Sequence, residues 1–201
     1  ITKGPWKMLV ITPLPPSKYH LTASEVARAV ALAKERDLIV FADDAHMMSR
    51  SVFYNEAVTF ELGDIDVSVW SLDKHVPGPR GAAIVGSKDL MEKIKAQVFQ
   101  FGLEAQSGHY VAMLRGMEMF DPEPVRRAGD LAKDLFQQFT EKYGDHVYQA
   151  GPGVAFSAED FTEEVLSHAG NRTTSLVASE ISTAGCFLLL KHYGGITIPI
   201  T

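Results

Sequence analysis

Met8, Leu9, Val10 and Ile11 form an unbroken apolar run, and residues 7–12 have the length and composition of a strand entering a sheet. Pro13, Pro15 and Pro16 then forbid helix and central strand, so residues 13–20 are a loop. Thr22 and Glu25 make a capping-box pair at the head of an Ala-rich amphipathic stretch, which predicts a helix to about Arg36. Asp37 marks its end, and Leu38, Ile39, Val40 and Phe41 are the next strand. Strand, helix and strand in that order form a parallel crossover, right-handed by default.

Residues 47–55 read as a polar connection, and residues 60–66 lead into a strand that carries Val67, Val69 and Trp70. A further strand is predicted over 81–86, a short helix over 88–97 and a longer one over 105–119. Asp121-Pro122-Glu123-Pro124 opens another long helix, with prolines in the first turn where a missing N–H costs nothing. That helix runs to about Tyr143, before Gly144. A smaller α/β unit follows: a strand over 147–156, helices over 159–168 and 178–193, and a terminal strand over 196–200. The expected class is α/β, with residues 1–120 in a mostly parallel sheet domain and 121–201 in a small C-terminal α/β domain.

Composition narrows the partners. The 201 residues are 46% hydrophobic and 22% charged, as in an ordinary globular protein. A formal net charge of −6 argues against a nucleic-acid partner, since a phosphate-binding surface needs a basic excess. No apolar stretch reaches membrane-spanning length, and no basic-then-apolar leader occurs, so no membrane partner is expected. Cys186 is the single cysteine; it excludes an internal disulfide, suits a reducing compartment and sits in an apolar run as a core residue. Cytoplasm is the expected location.

Two short runs carry the chemistry. Phe41-Ala42-Asp43-Asp44-Ala45-His46 and Ser71-Leu72-Asp73-Lys74-His75-Val76-Pro77-Gly78-Pro79-Arg80-Gly81 each follow a strand. In an open α/β sheet, ligands sit outside the carboxyl ends of the strands. An Asp at one strand end and a Lys at a neighbouring one are the two groups that pyridoxal 5'-phosphate needs. The carboxylate keeps the pyridine nitrogen protonated, and the amine forms a Schiff base with the aldehyde. Asp43 is the candidate for the first role and Lys74 for the second, with burial expected to lower the lysine pKa. His46 is placed to stack on the ring or to carry protons. Ser71 and Arg80 offer a hydroxyl and a guanidinium to phosphate or carboxylate.

Blander readings stand beside these. Asp43-Asp44 also suits a solvated turn or a Walker-B-like pair, although no phosphate loop occurs in the chain. His46 also suits a surface position, and a lone lysine is normally solvent-facing. His46, His75 and His109 show no metal-ligand spacing, so no metal is expected.

The pairing of these runs resembles fold-type-I pyridoxal-phosphate enzymes, most of all serine hydroxymethyltransferase. There an Asp-x-Ala-His block is followed by a lysine with Gly-Pro-Arg-Gly shortly after it, as Lys74 is by Gly78-Pro79-Arg80-Gly81 here. Residues 98–109, ending Gln106-Ser107-Gly108-His109, resemble the family's glycine-rich segment. Where the family has Thr-His before the lysine, this chain has Leu72-Asp73; its double glycine is broken by Gln106-Ser107. The tail from Leu176 resembles the tryptophanase and tyrosine phenol-lyase group, without the arginine expected near Thr197; Arg172 is the remaining candidate. The lysine stretch is also similar to selenocysteine synthase-like proteins.

The resemblance implies an aspartate-aminotransferase-like fold and a lyase or transferase acting on an amino acid. Retro-aldol chemistry of the hydroxymethyltransferase kind leads; β-elimination, transamination and a non-catalytic assembly subunit remain open. It implies that Ser107 and Gly108 reach the phosphate of a partner's cofactor, and hence a homo-oligomer, dimer or larger. Such enzymes run to about twice this length, so a missing N-terminal half or a partner chain is expected, in keeping with a strand that begins within a few residues of Ile1.

Overall fold

The computed structural model describes residues 6–14, 19–46 and 49–197. β1 (Met8–Ile11) leads through α1 (Ala23–Lys34) to β2 (Ile39–Asp43) and on to β3 (Val67–Ser71) and β4 (Ala82–Gly86). These four strands form one sheet in the order β1-β2-β3-β4. The first three are parallel and β4 returns antiparallel. Sequence pattern located β4 but not its direction. The direction follows from the connection, because residues 72–81 hold no crossover helix and can only turn the chain back.

α1 starts where the sequence says it should. Thr22 Oγ1 accepts from Glu25 N, and the Glu25 carboxylate accepts from Thr22 N at 2.9 Å, closing the capping box. Its Val26, Val30 and Ala33 are buried against Ile11, Val40 and Ala42 of the sheet, joined by Leu38 and Ile65. Each such valine contributes about 1.5–3 kcal/mol by leaving water. Because side chains alternate along a strand, Met8, Val10, Phe41, Asp43, Val69, Ser71 and Ile84 share the opposite face. Val10 and Ile84 are exposed there.

Asp66 ties the approach to β3 onto β2. Its carboxylate accepts from Lys34 Nζ at 2.6 Å and from Val40 N at 2.7 Å, while Asp66 N donates to Val40 O. Burial alone would raise the Asp66 pKa, but the Lys34 and Val40 hydrogen bonds outweigh it and hold the carboxyl low. The expected polar connection departs from its reading. Ser49–Phe53 form a single π-helical turn, and Arg50 within it is wholly buried. Residues 54 and 55 of that connection are in no regular element, and residues 47 and 48 lie outside the described residues.

α2 (Lys88–Gln100), α3 (Ser107–Glu118) and α4 (Glu123–Tyr143) follow. The chain divides into two compact units, one up to Arg127 and one from Ala128. In the second, β5 (Val147–Gln149) and β6 (Val154–Phe156) are an antiparallel hairpin, not the single strand expected over 147–156. Gly151-Pro152-Gly153 breaks the run: Gly151 adopts φ 57°, and Ala150 N donates to Gly153 O across the turn. α5 (Ala158–His168), capped by Ser157, packs on α6 (Ala178–Tyr193). The last three residues of the predicted terminal strand, 198–200, lie outside the described residues; Ile196 and Thr197 are in no regular element.

Candidate functional site

Asp43 closes β2, paired in register with Val69, and Ser71 closes β3 two residues further along the same face. Two parallel strands therefore deliver a carboxylate and a hydroxyl to one sheet edge. Asp44 N extends the pairing by one bond, donating to Val69 O at 2.9 Å. The chain then turns through Ala45, whose N–H donates to Asp43 Oδ1 at 3.3 Å.

The two adjacent aspartates part company at this point. Asp43 is half-buried, whereas Asp44 is buried and accepts from Thr59 Oγ1 at 2.6 Å. Burial pushes the Asp44 pKa up, outweighing the Thr59 bond and the charge of Arg50. The Arg50 guanidinium donates to Leu21 O at 2.6 and 3.0 Å and pairs with Glu56 at 3.1 Å. Thr59 and Arg50 thus act on Asp44, which stands between Asp43 and His46 in the turn. Sequence reading missed this anchor, since nothing in the residues near Asp44 points to Thr59 or Arg50.

His46 meets Lys74 across the gap between the two strands: Nε2 stands 3.2 Å from Nζ. Burial, then the charge of Lys74, then His75 hold the His46 pKa below its usual value; Asp43 opposes them. The lowered pKa favours the neutral imidazole, and with its proton on Nδ1 the Nε2 atom can accept a hydrogen bond from Lys74 Nζ. His75, next to Lys74, places its ring 6.2 Å from that of His46, and burial and Lys74 lower its pKa too. The expectation that Lys74 is buried is not met. The residue is exposed, and its distinctive surroundings are the two imidazoles.

Lys74 rides on a loop clamped at its base, where Leu72 N donates to Gly81 O, and tightened by Val76 N to Leu72 O. α3 lies against this loop. A Cβ on Gly116 would overlap the Pro77 carbonyl, so only glycine lets helix and loop approach this closely. Gly78 adopts φ 132°, reserved for glycine, in the same loop.

Ser71 and Arg80 are also brought together, but on a carboxylate. Ser71 Oγ donates to Asp73 Oδ1, and Arg80 Nε donates to Asp73 Oδ2 at 3.2 Å. Ser107 and Gly108 open α3, both exposed, with no side-chain cap on the free N–H groups there. Arg172 belongs to the second unit, at an exposed position. Cys186 is half-buried. Among the described residues, no group of three or more metal-ligating side chains occurs, and no helix is long and apolar enough to cross a membrane.

No protein-family model matches the chain. It is 35% identical, over 89% of its length and 46% of the relative's, to a UPF0425 pyridoxal phosphate-dependent protein of Methanosphaera stadtmanae. Among solved structures it is similar to a putative L-allo-threonine aldolase from Listeria monocytogenes, with TM-score 0.64 and 18% identity over 83% of this chain and 49% of that one. It is also similar to N-succinyldiaminopimelate aminotransferase from Mycobacterium tuberculosis, with TM-score 0.63 and 16% identity over 96% and 49%. The chain spans about half the length of the curated relatives it matches. At these identities the structural matches establish the fold, an aspartate-aminotransferase-like α/β fold with a mostly parallel sheet.

Proposed function

We propose that the chain is the lysine-bearing part of a pyridoxal-phosphate-dependent enzyme that makes or breaks a bond in an amino acid, with retro-aldol cleavage as the leading reaction. The observation that carries this reading is the meeting of His46 Nε2 and Lys74 Nζ at 3.2 Å beside the Asp43 strand end. Relatives named as pyridoxal phosphate-dependent support the cofactor.

The residues present fit that group. Asp43 is a half-buried carboxylate that accepts from Ala45 N, and a carboxylate has acceptor capacity for more, as a protonated ring nitrogen requires. Lys74 supplies the amine, and its exposure leaves Nζ accessible to an aldehyde. Ser71, Arg80 and the α3 N-terminus supply donors suited to an oxyanion. When bound, pyridoxal phosphate supplies an electron sink for negative charge developing at the substrate Cα. Asp43 would hold the ring nitrogen, and Lys74 Nζ the aldehyde carbon. His46 Nε2, neutral and within hydrogen-bond reach, would take a proton from Lys74 Nζ and return it.

Ser107 and Gly108 are assigned, in the same proposal, to a second copy's site. Phe99, Phe101 and Leu103, which lead to them, are all exposed, as a segment covered by a neighbour is when seen alone. The test of the reaction class is product identity. The full-length protein loaded with cofactor and given β-hydroxy amino acids should release glycine and an aldehyde, and Lys74→Ala should not. Pyruvate and ammonia would indicate β-elimination, and a keto acid paired with transfer of the amino group would indicate transamination. No product from any amino acid, with cofactor bound, would overturn the enzymatic reading.

A further inference from the structure

Asp73 sits between the two side chains that the sequence assigns to an anion, and it holds both. Its side chain is 25% exposed, and its two oxygens divide the work: Oδ1 accepts from Ser71 Oγ and Oδ2 from Arg80 Nε at 3.2 Å. The Ser71 bond, then the Arg80 bond, lower the Asp73 pKa, so the group is ionised near neutral pH. A phosphate dianion presents the same kind of acceptor oxygens as this carboxylate.

We infer that Asp73 competes with an incoming phosphate for Ser71 and Arg80, and thereby sets the affinity of this site for phosphorylated ligands. A serine hydroxyl has a single donor hydrogen, so Ser71 cannot serve Asp73 Oδ1 and a phosphate oxygen together. Arg80 has further N–H groups and can serve both, but only with two anions side by side. Like charges within a few ångströms repel. The side chain of Arg80 is 92% exposed, so its pairing with Asp73 is a weak surface contact that a dianion can displace. Occupation of the site therefore entails release of Ser71 by Asp73, and the carboxylate acts as an internal occupant of the anion position.

This inference rests on the cofactor reading for the identity of the phosphate, not for its chemistry. The test is calorimetric binding of pyridoxal phosphate, pyridoxal and inorganic phosphate to the full-length wild-type protein and to Asp73→Asn and Asp73→Ala. With the competing charge removed, both variants should bind pyridoxal phosphate and inorganic phosphate roughly tenfold more tightly, the scale of one charge-assisted hydrogen bond. Pyridoxal, which lacks the phosphate, should bind all three proteins alike. Unchanged or weaker phosphate binding in both variants, or equal tightening for pyridoxal, would overturn the inference. A wild-type protein that binds phosphate but not pyridoxal phosphate, with tightening preserved in the variants, would sink the cofactor reading alone.

Discussion

His46 and Lys74 are 28 positions apart in sequence, yet their Nε2 and Nζ atoms stand 3.2 Å from one another. Two parallel strands produce this meeting. β2 and β3 end side by side, so the turn after Asp43 and the loop after Ser71 project from the same edge. A base beside an amine at the end of a carboxylate-bearing strand is the arrangement from which the functional reading follows.

His46, His75 and His146 should titrate in two groups. His46 and His75 have lowered pKa values in the fold, from burial first and then from Lys74. Each therefore stabilises the fold above the unfolded value of about 6.5 and loses that contribution as pH falls through its lowered folded value. His146, in the second unit, behaves oppositely: the Glu164 hydrogen bond at 2.8 Å raises its pKa. Its contribution is complete below about 6.5 and is lost as pH rises through the raised value. NMR titration of the imidazole protons should show two resonances below the ordinary range and one above it. Three ordinary titrations would contradict the assigned surroundings.

The buried anchor should be costly to break. Arg50→Met leaves the Leu21 carbonyl and the Glu56 carboxylate without their cation, and should cost about 3–5 kcal/mol in urea unfolding. Thr59→Val removes the donor to a buried Asp44 oxygen and should cost about 1–3 kcal/mol. Costs below half a kcal/mol would mean that the network is not formed.

Asp66→Ala should weaken the fold by roughly 1–2 kcal/mol, having lost a backbone hydrogen bond and a partly screened ion pair. Because the folded Asp66 pKa is lowered, its contribution is present above the unfolded value of about 3.9 and is lost as pH falls through the folded value. The stability difference between wild type and variant should therefore narrow only in acid. A difference that stays constant from neutral pH down through that range would count against the Lys34–Asp66–Val40 arrangement.

Gly116→Ala places a methyl group on the Pro77 carbonyl and should displace the Lys74 loop at a cost of about 1–3 kcal/mol. Gly108→Ala meets no atom within 4 Å and should leave the melting temperature of the chain close to that of wild type. Equal behaviour of the two variants would show that α3 does not seat the loop.

Much of this was legible in the residues. Thr22 and Glu25 announced α1, and the apolar runs before Asp43 and Ser71 announced β2 and β3, because local hydrogen bonding and alternation write themselves into short windows. What was not legible depends on distant partners. The burial of Arg50 is decided by the Leu21 carbonyl 29 positions away, so a window over 47–55 reads only a polar connection. The hairpin over 147–156 was hidden because apolar residues flank Gly151-Pro152-Gly153 on both sides. Asp73 was visible as a departure at the position before the lysine, but its hold on both Ser71 and Arg80 appears only in three dimensions.

Covalent trapping tests whether Lys74 is the amine that carries a pyridoxal aldehyde. The full-length protein is incubated with pyridoxal phosphate, reduced with borohydride, digested and sequenced by mass spectrometry. One pyridoxyl group per chain is expected on Lys74, with its loss in Lys74→Ala and slower trapping in His46→Ala, where the neighbouring imidazole is gone. Label spread over several lysines, or undiminished in Lys74→Ala, would contradict that role for Lys74.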